Sequence, residues 1–135
     1  MPGLERACRS IVHNVAGAIA CGVVELESGD LLGGYERTDG AAVLGGAVIK
    51  RVTHLLRSGA VSRVHARLSQ HRGILSTEIG THWELYVCID QRLHFLKAIG
   101  GGKAAVLLVT DRTANIGMGW AQLRSATNDL EGLPC

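Results

Sequence analysis

Residues 93–123 read LHFLKAIGGGKAAVLLVTDRTANIGMGWAQL and carry the clearest pattern of strands, turn and helix in the chain. Residues 92–99 predict a strand with Leu93, Phe95 and Lys97 on one face and His94, Leu96 and Ala98 on the other. The run AAVLLV within residues 103–111 is apolar on both faces, so a second, central strand is predicted there. The glycines at 100–102 predict a hairpin turn between the two strands. A phosphate-binding loop is excluded, because Ala and a strand follow Lys103 where that loop requires Ser or Thr and a helix.

A helix is predicted to close this stretch, from about residue 115 to residue 130. Asn115 or Thr113 can cap it, because a short polar side chain accepts hydrogen bonds from the unpaired N–H groups of the first turn. Gly117 and Gly119 indicate close packing of the helix start. Residues at helical spacing are predicted to form the inner face: Ile116, Trp120, Leu123, Thr127 and Leu130.

The segment before this stretch, residues 78–90, ends in an alternating strand. One face of that strand carries Trp83, Leu85, Val87 and Ile89, and the other carries Glu84, Tyr86, Cys88 and Asp90. Glu84 and Asp90 share a face, but no partner that would make either a catalytic carboxylate can be named. Asp90 and Gln91 then predict a tight turn into the next strand.

The N-terminal third of the chain predicts a helix followed by a hairpin. Apolar residues at helical spacing predict a helix over residues 3–15 that Gly17 ends. Residues 18–26 (AIACGVVEL) are apolar on both faces, which predicts another central strand. A turn at residues 27–30 joins it to a partner strand at residues 31–36.

A further helix is predicted at residues 41–57, AAVLGGAVIKRVTHLLR, whose first nine residues carry no polar side chain. Its apolar residues span an arc of about 160° at about 100° per residue. One packed face needs an arc of only about 100°. The surplus, together with Gly45 and Gly46, predicts two partners: the sheet, and a second surface that approaches the helix backbone closely.

Composition and charge restrict the possible functions. The 135 residues fit one domain (1–135), and the net charge is +2. The chain shows neither a signal peptide nor a membrane span, and its four cysteines form no CxxC pair. Buried, reduced thiols in a cytoplasmic protein are therefore predicted. No metal-ligand spacing and no nucleophile–base arrangement is visible, so neither an enzyme nor a bound metal or cofactor is expected.

The stretch between residues 40 and 77 contains no Asp or Glu and leaves two interpretations open. It is either a solvated helix face followed by a mobile loop, or a binding surface for an anionic partner such as an acidic protein surface or nucleic acid. Of these two partners nucleic acid is the less favoured, because the stretch has no aromatic residue that could stack on bases. The candidate basic residues are Lys50, Arg51, Arg57, Arg63, Arg67 and Arg72.

The sequence resembles the roadblock/dynein light-chain family in two stretches. The first is GAIACGVVELESGDLLGG at residues 17–34. The second is residues 93–123, with their glycine turn, Asp-Arg strand exit and Asn-Ile-Gly helix start. The basic segment 58–81 departs from the family pattern. The resemblance implies an α/β (α+β), profilin-like fold with a five-stranded antiparallel sheet of order 2-1-5-4-3. It places the first and last helices on one face and the middle helix on the other.

The resemblance also implies a function. Members of this family are typically homodimers in which the middle helices pack together and the third strands pair, here residues 41–57 and 82–90. The resemblance is to a family whose bacterial members are partners and activators of small Ras-like GTPases. It therefore implies a non-catalytic scaffold or regulator of such a GTPase. The alternative is a binder of an anionic polymer or small ligand through segment 50–72. The expected dimer interface comprises Ala42, Gly45, Gly46, Ile49, Thr53, Leu56, Glu84 and Tyr86.

Overall fold

A computed structural model describes residues 2–37, 54, 84–89 and 91–131. These residues form α1 (Pro2–Asn14), β1 (Ala18–Glu25), β2 (Leu31–Glu36), β3 (Glu84–Ile89), β4 (Arg92–Ile99), β5 (Ala104–Thr110) and α2 (Ile116–Glu131). The helices and strands predicted in these ranges are confirmed, although several ends shift by one residue. The whole basic segment and most of the predicted helix 41–57 lie outside the described residues; within that helix, His54 is described as helical and exposed.

The strands form one antiparallel sheet in the order β2-β1-β5-β4-β3, which confirms the predicted topology. β1 and β5 are central, while β2 and β3 form the two edges. The three-glycine turn joins β4 to β5 as predicted. Gly100, Gly101 and Gly102 have φ values of 60°, 69° and 88°, a region that residues with a side chain rarely adopt.

Helices α1 and α2 contact each other and pack on the same face of the sheet, as predicted. Their buried cluster includes Leu4, Ile11, Phe95, Leu108 and Leu123. A second buried cluster occupies the opposite face, and the described residues that form it all come from strands: Ala20, Val24, Leu96, Leu107 and Val109. The prediction that helix 41–57 packs on one face of the sheet stays a prediction.

The start of α2 differs in part from its prediction. The Asn115 side chain caps it, because Asn115 Oδ1 accepts a hydrogen bond of 2.9 Å from the backbone N–H of Met118. The placement of Ile116 on the inner face was wrong, since Ile116 is 46% exposed. Gly119 lies so close to Phe95 that an added Cβ would sit 2.9 Å from the ring. Gly119 and Leu123 are the buried residues among the described side chains of α2, whereas Ile116, at its first position, is exposed.

The three described cysteines differ in exposure. Cys8 and Cys21 are buried, as predicted, and the hydrogen bond with Cys8, together with burial, raises the pKa of the Cys21 thiol. Cys88 is exposed, so the expectation of a buried thiol was wrong there. It lies on edge strand β3 and points to the helix side of the sheet, where α2 covers mainly β4 and β5. Neither described helix is long and apolar enough to cross a membrane.

Candidate interface at the β3 edge

Two residues of the predicted dimer interface, Glu84 and Tyr86, lie in the described part of the chain. Both are on β3, the strand at one edge of the sheet, and both point to its helix side. The structure therefore brings these two together on one strand. The remaining predicted residues lie outside the described residues: Ala42, Gly45, Gly46, Ile49, Thr53 and Leu56 of the interface, and Lys50, Arg51, Arg57, Arg63, Arg67 and Arg72 of the basic patch.

Tyr86 begins a row of three aromatic rings that leads from the edge into the core. Its ring meets Phe95 edge-on at a centroid distance of 5.3 Å, and Phe95 meets Trp120 in the same way at 5.2 Å. Phe95 is fully buried, whereas Tyr86 remains 40% exposed. The buried ring of β4 thus supports Tyr86 from one side and leaves its other side open, because edge-to-face contacts of this kind stabilise the ring orientation.

Glu84 is held by two cations. Arg124 on α2 donates two hydrogen bonds to its carboxylate, of 2.8 and 2.7 Å, and Lys97 on β4 lies 3.6 Å away. The hydrogen bonds from Arg124 lower the pKa of Glu84. Arg124 also lies over the Trp120 ring, 5.5 Å from its centroid. Glu84 therefore ties the edge strand to α2, which is a positioning role rather than that of an acid or base.

The exposed backbone of β3 is the other part of this site. Its register with β4 runs from Glu84↔Lys97 to Ile89↔Arg92, and the described sheet has no strand on its other side. Half of the N–H and C=O groups of an edge strand point away from the sheet and can pair with another strand. Together with the exposed Tyr86 ring, this edge is suited to binding a strand.

Within residues 2–37, 54, 84–89 and 91–131, no three of His, Cys, Asp and Glu are placed to hold a metal ion. Asp111, at the exit of β5, accepts hydrogen bonds of 2.6 and 2.9 Å from the hydroxyl and N–H of Thr113. These bonds lower the pKa of Asp111 and shape the turn into α2, so its carboxylate is structural.

Sequence reasoning missed the residues that support the edge: Phe95, Lys97 and Arg124 were not assigned to it. One signal was available, because Trp120 and Arg124 are four residues apart and so lie on the same side of a helix. The pairing of Arg124 with Glu84 had no such signal, since forty residues separate the two positions. Only the chain topology brings them together.

No family model matches the chain, and no curated protein matches it. Solved structures do match it. The MglC structure from Myxococcus xanthus is 20% identical with a TM-score of 0.62, over 96% of this chain and 97% of that one. A roadblock/LC7 domain from Streptomyces avermitilis is 12% identical with a TM-score of 0.60, over 94% of this chain and 93% of that one.

An MglB structure with a tetrameric arrangement is also similar, at 17% identity and a TM-score of 0.66, over 97% of this chain and 89% of that one. Similarity at these identities is similarity of fold. The chain therefore has the fold of the roadblock/LC7 domain, which confirms the fold expected from the resemblance of residues 17–34 and 93–123.

Proposed function

We propose that this chain, which has the roadblock/LC7 fold, is a single-domain, non-catalytic cytoplasmic protein that forms a homodimer and serves as a scaffold or regulator of a small Ras-like GTPase. Fold alone does not specify a function, so the proposal depends on a site. The observation that carries it is the β3 edge, where an open strand presents a supported, 40%-exposed tyrosine.

In the proposed dimer, the β3 strands of two copies pair and the two sheets become continuous. A strand edge that finds an identical edge satisfies its outward N–H and C=O groups without a second protein. Tyr86 of each copy then packs across the junction. Glu84, neutralised by Arg124 and Lys97 of its own chain, places no unpaired carboxylate at that junction.

The predicted helix 41–57 supports the same proposal from the sequence. Its apolar arc of about 160° exceeds the arc of about 100° that one partner covers. In the proposed dimer, two such helices pack against each other at Gly45 and Gly46, where the absence of side chains permits close approach of the backbones.

The oligomeric state tests the first part of the proposal. Light scattering after size-exclusion chromatography should give about twice the chain mass of 14.3 kDa. Tyr86→Arg should shift the mass to that of the monomer, because two buried, unpaired guanidinium groups would face each other. Leu31→Arg is the matched control: Leu31 is 43% exposed on the opposite edge strand, so that variant should remain a dimer.

Either of two results would reject the dimer at this edge. One is a monomeric wild-type protein at micromolar concentration. The other is an equal response of the Tyr86→Arg and Leu31→Arg variants, which would mean that the effect of arginine does not depend on the edge that carries it.

Binding to a GTPase tests the second part. Purified small Ras-like GTPases of the same organism, loaded with GDP or with a non-hydrolysable GTP analogue, are titrated with the wild-type protein. We expect one of them to bind with a preference for one nucleotide state, and the monomeric Tyr86→Arg variant to bind more weakly. Hydrolysis rates with and without the protein then separate an activator from a scaffold. A dimer that binds none of these GTPases would contradict the GTPase assignment and leave the dimer intact.

A further inference from the structure

The opposite edge of the sheet carries a groove that the proposed function does not use. It lies between the outer side of α1 and strand β2 and has a volume of about 270 Å³. The residues that line it are Glu5, Arg6, Arg9, Gly34 and Tyr35. Arg6 and Arg9 are exposed on α1, so two guanidinium groups stand beside an edge strand.

Contacts with α1 hold the Tyr35 wall of this groove in place. The guanidinium carbon of Arg9 lies 5.7 Å from the centroid of the Tyr35 ring, and His13 Nε2 lies 3.3 Å from the Tyr35 hydroxyl. Arg9 and His13 are one helical turn apart, so both reach the same ring. Next to the groove, α1 packs closely on β2 at Gly33, where an added Cβ would lie 3.1 Å from Leu4 Cβ.

The floor of the groove is backbone that can form hydrogen bonds. Arg37 donates its N–H to Ile19 O at 3.0 Å, so residues 19 and 37 form a hydrogen-bonded pair between β1 and β2. Two residues further along each strand, Cys21 and Tyr35 form the next hydrogen-bonded pair. Because the groups of an antiparallel strand alternate in direction, those of Tyr35 face β1 and those of Gly34 point outward. In the described sheet β2 is the last strand on this side. Gly34 therefore presents a donor and an acceptor, with no side chain of its own, in the groove that Arg6 and Arg9 also line.

We propose that this groove binds an extended, acidic segment of a partner protein, which adds to β2 as a further strand. The backbone of the segment would pair with Gly34, and its carboxylates would meet Arg6 and Arg9. Charge complementarity favours this occupant over a second copy of the chain, because two β2 edges would bring four arginines together. Glu5, at the margin of the groove, disfavours acidic side chains there and so restricts where the carboxylates can lie. The inference does not depend on the proposed dimer or on a GTPase.

The test uses the full-length chain and two blocked hexapeptides, one of alternating valine and glutamate and one of alternating valine and lysine. Titration is followed by nuclear magnetic resonance. We expect the acidic peptide to shift the amide signals around Gly34 and to slow hydrogen exchange of the Gly34 N–H. The lysine peptide should bind at least about tenfold more weakly, a factor that corresponds to about 1.4 kcal/mol.

Three variants separate the contributions of the arginine charge and of the Gly34 backbone N–H to peptide binding. Arg6→Glu should weaken binding of the acidic peptide by about fivefold to tenfold and improve binding of the lysine peptide. Lys103→Glu is the matched control: it makes the same charge change at an exposed residue that does not line the groove, so it should change affinity by less than about twofold. Gly34→Pro removes the outward N–H and spares the hydrogen bonds to β1, so it should abolish binding in a protein that remains folded.

The inference is overturned by any of three results: no binding of the acidic peptide, equal affinity for the two peptides, or binding that leaves Gly34 hydrogen exchange unchanged. The last result is measured on the wild-type protein and does not depend on how well the Gly34→Pro variant folds.

Discussion

Each edge of the sheet exposes one large apolar side chain to a similar extent, but the helices cover the two edge strands differently. Leu31 on β2 is 43% exposed, and Tyr86 on β3 is 40% exposed. Along β2, helix α1 packs directly against the strand, through Leu4 at Gly33 and through Arg9 and His13 at Tyr35. Along β3, helix α2 lies mainly over β4 and β5 and reaches the edge through the ion pair of Arg124 with Glu84.

This difference separates two kinds of edge. Charged side chains beside an edge strand hinder pairing with an identical strand and still permit pairing with one of opposite charge. The β2 edge, with Arg6 and Arg9 beside it, has that character. The β3 edge has its one described carboxylate neutralised within the chain and exposes an aromatic ring, which suits a second copy of itself.

The largest effect is expected where the helices approach the sheet. Gly119→Ala would place a Cβ 2.9 Å from the buried Phe95 ring, whereas Gly33→Ala would place one 3.1 Å from Leu4 Cβ. We expect Gly119→Ala to lower the free energy of unfolding by about 1–3 kcal/mol, and Gly33→Ala to lower it less, because α1 can shift by a few tenths of an ångström. Urea denaturation measures both, and the reverse ranking would contradict this account of the packing.

The next effect concerns access to the β3 edge. Cys88 is exposed in the single chain, and the proposed dimer covers its strand. Alkylation of Cys88, followed by mass spectrometry of the peptide that contains it, should be more than about tenfold slower in the wild-type protein than in a Gly45→Arg variant. In that variant the arginine should dissociate the dimer, because it would block the proposed close approach of the two 41–57 helices. A tenfold change corresponds to about 1.4 kcal/mol. A thiol placed on the other edge by Leu31→Cys is the control. Its alkylation rate should not change with the oligomeric state.

A smaller effect is expected from the ion pair that ties β3 to α2. Glu84→Gln should lower the free energy of unfolding by at most about 1 kcal/mol at neutral pH, because the pair is largely solvent-exposed. Arg124 lowers the pKa of Glu84 in the folded state. The contribution is therefore complete above the ordinary glutamate pKa of about 4.3 and is lost as the pH falls through the lowered value.

Denaturation of wild type and Glu84→Gln between pH 7 and pH 2 measures this dependence. The two curves should differ at neutral pH and converge in acid. A difference that stays constant with pH would assign the effect to packing instead of charge.

The smallest effect is expected on the β2 side. Tyr35→Phe removes the hydrogen bond to His13 and keeps the ring under Arg9. Because this bond is long and exposed, we expect a loss of less than about 0.5 kcal/mol, measured by urea denaturation. Tyr35→Ala is the comparison, and it should cost more because it also removes the ring. Equal costs for both variants would show that the ring contributes nothing.

The candidate site could be predicted only in part. The alternation of residues 84–89 placed Glu84 and Tyr86 on one face of a strand, and the structure confirms this. Nothing in the spacing connects Glu84 with Arg124, since their contact depends on how α2 crosses the sheet. The exposure of Cys88 was missed for a related reason: an alternating pattern predicts which face a residue occupies but does not predict whether a helix covers that face.

The local elements and their order follow from the amino-acid pattern, because hydrophobic periodicity and glycine turns act over a few neighbouring residues. The run AAVLLV and the glycines at 100–102 sufficed for a buried strand and its hairpin. Tertiary structure alone decided how far each helix reaches across the sheet. At the start of α2, Ile116 is exposed although Gly119 and Leu123 are buried, and the position of α2 over β4 and β5 leaves Tyr86 and Cys88 uncovered. Helix position is the joint result of many contacts between distant residues, so the β3 edge became visible as a site only after the chain was folded.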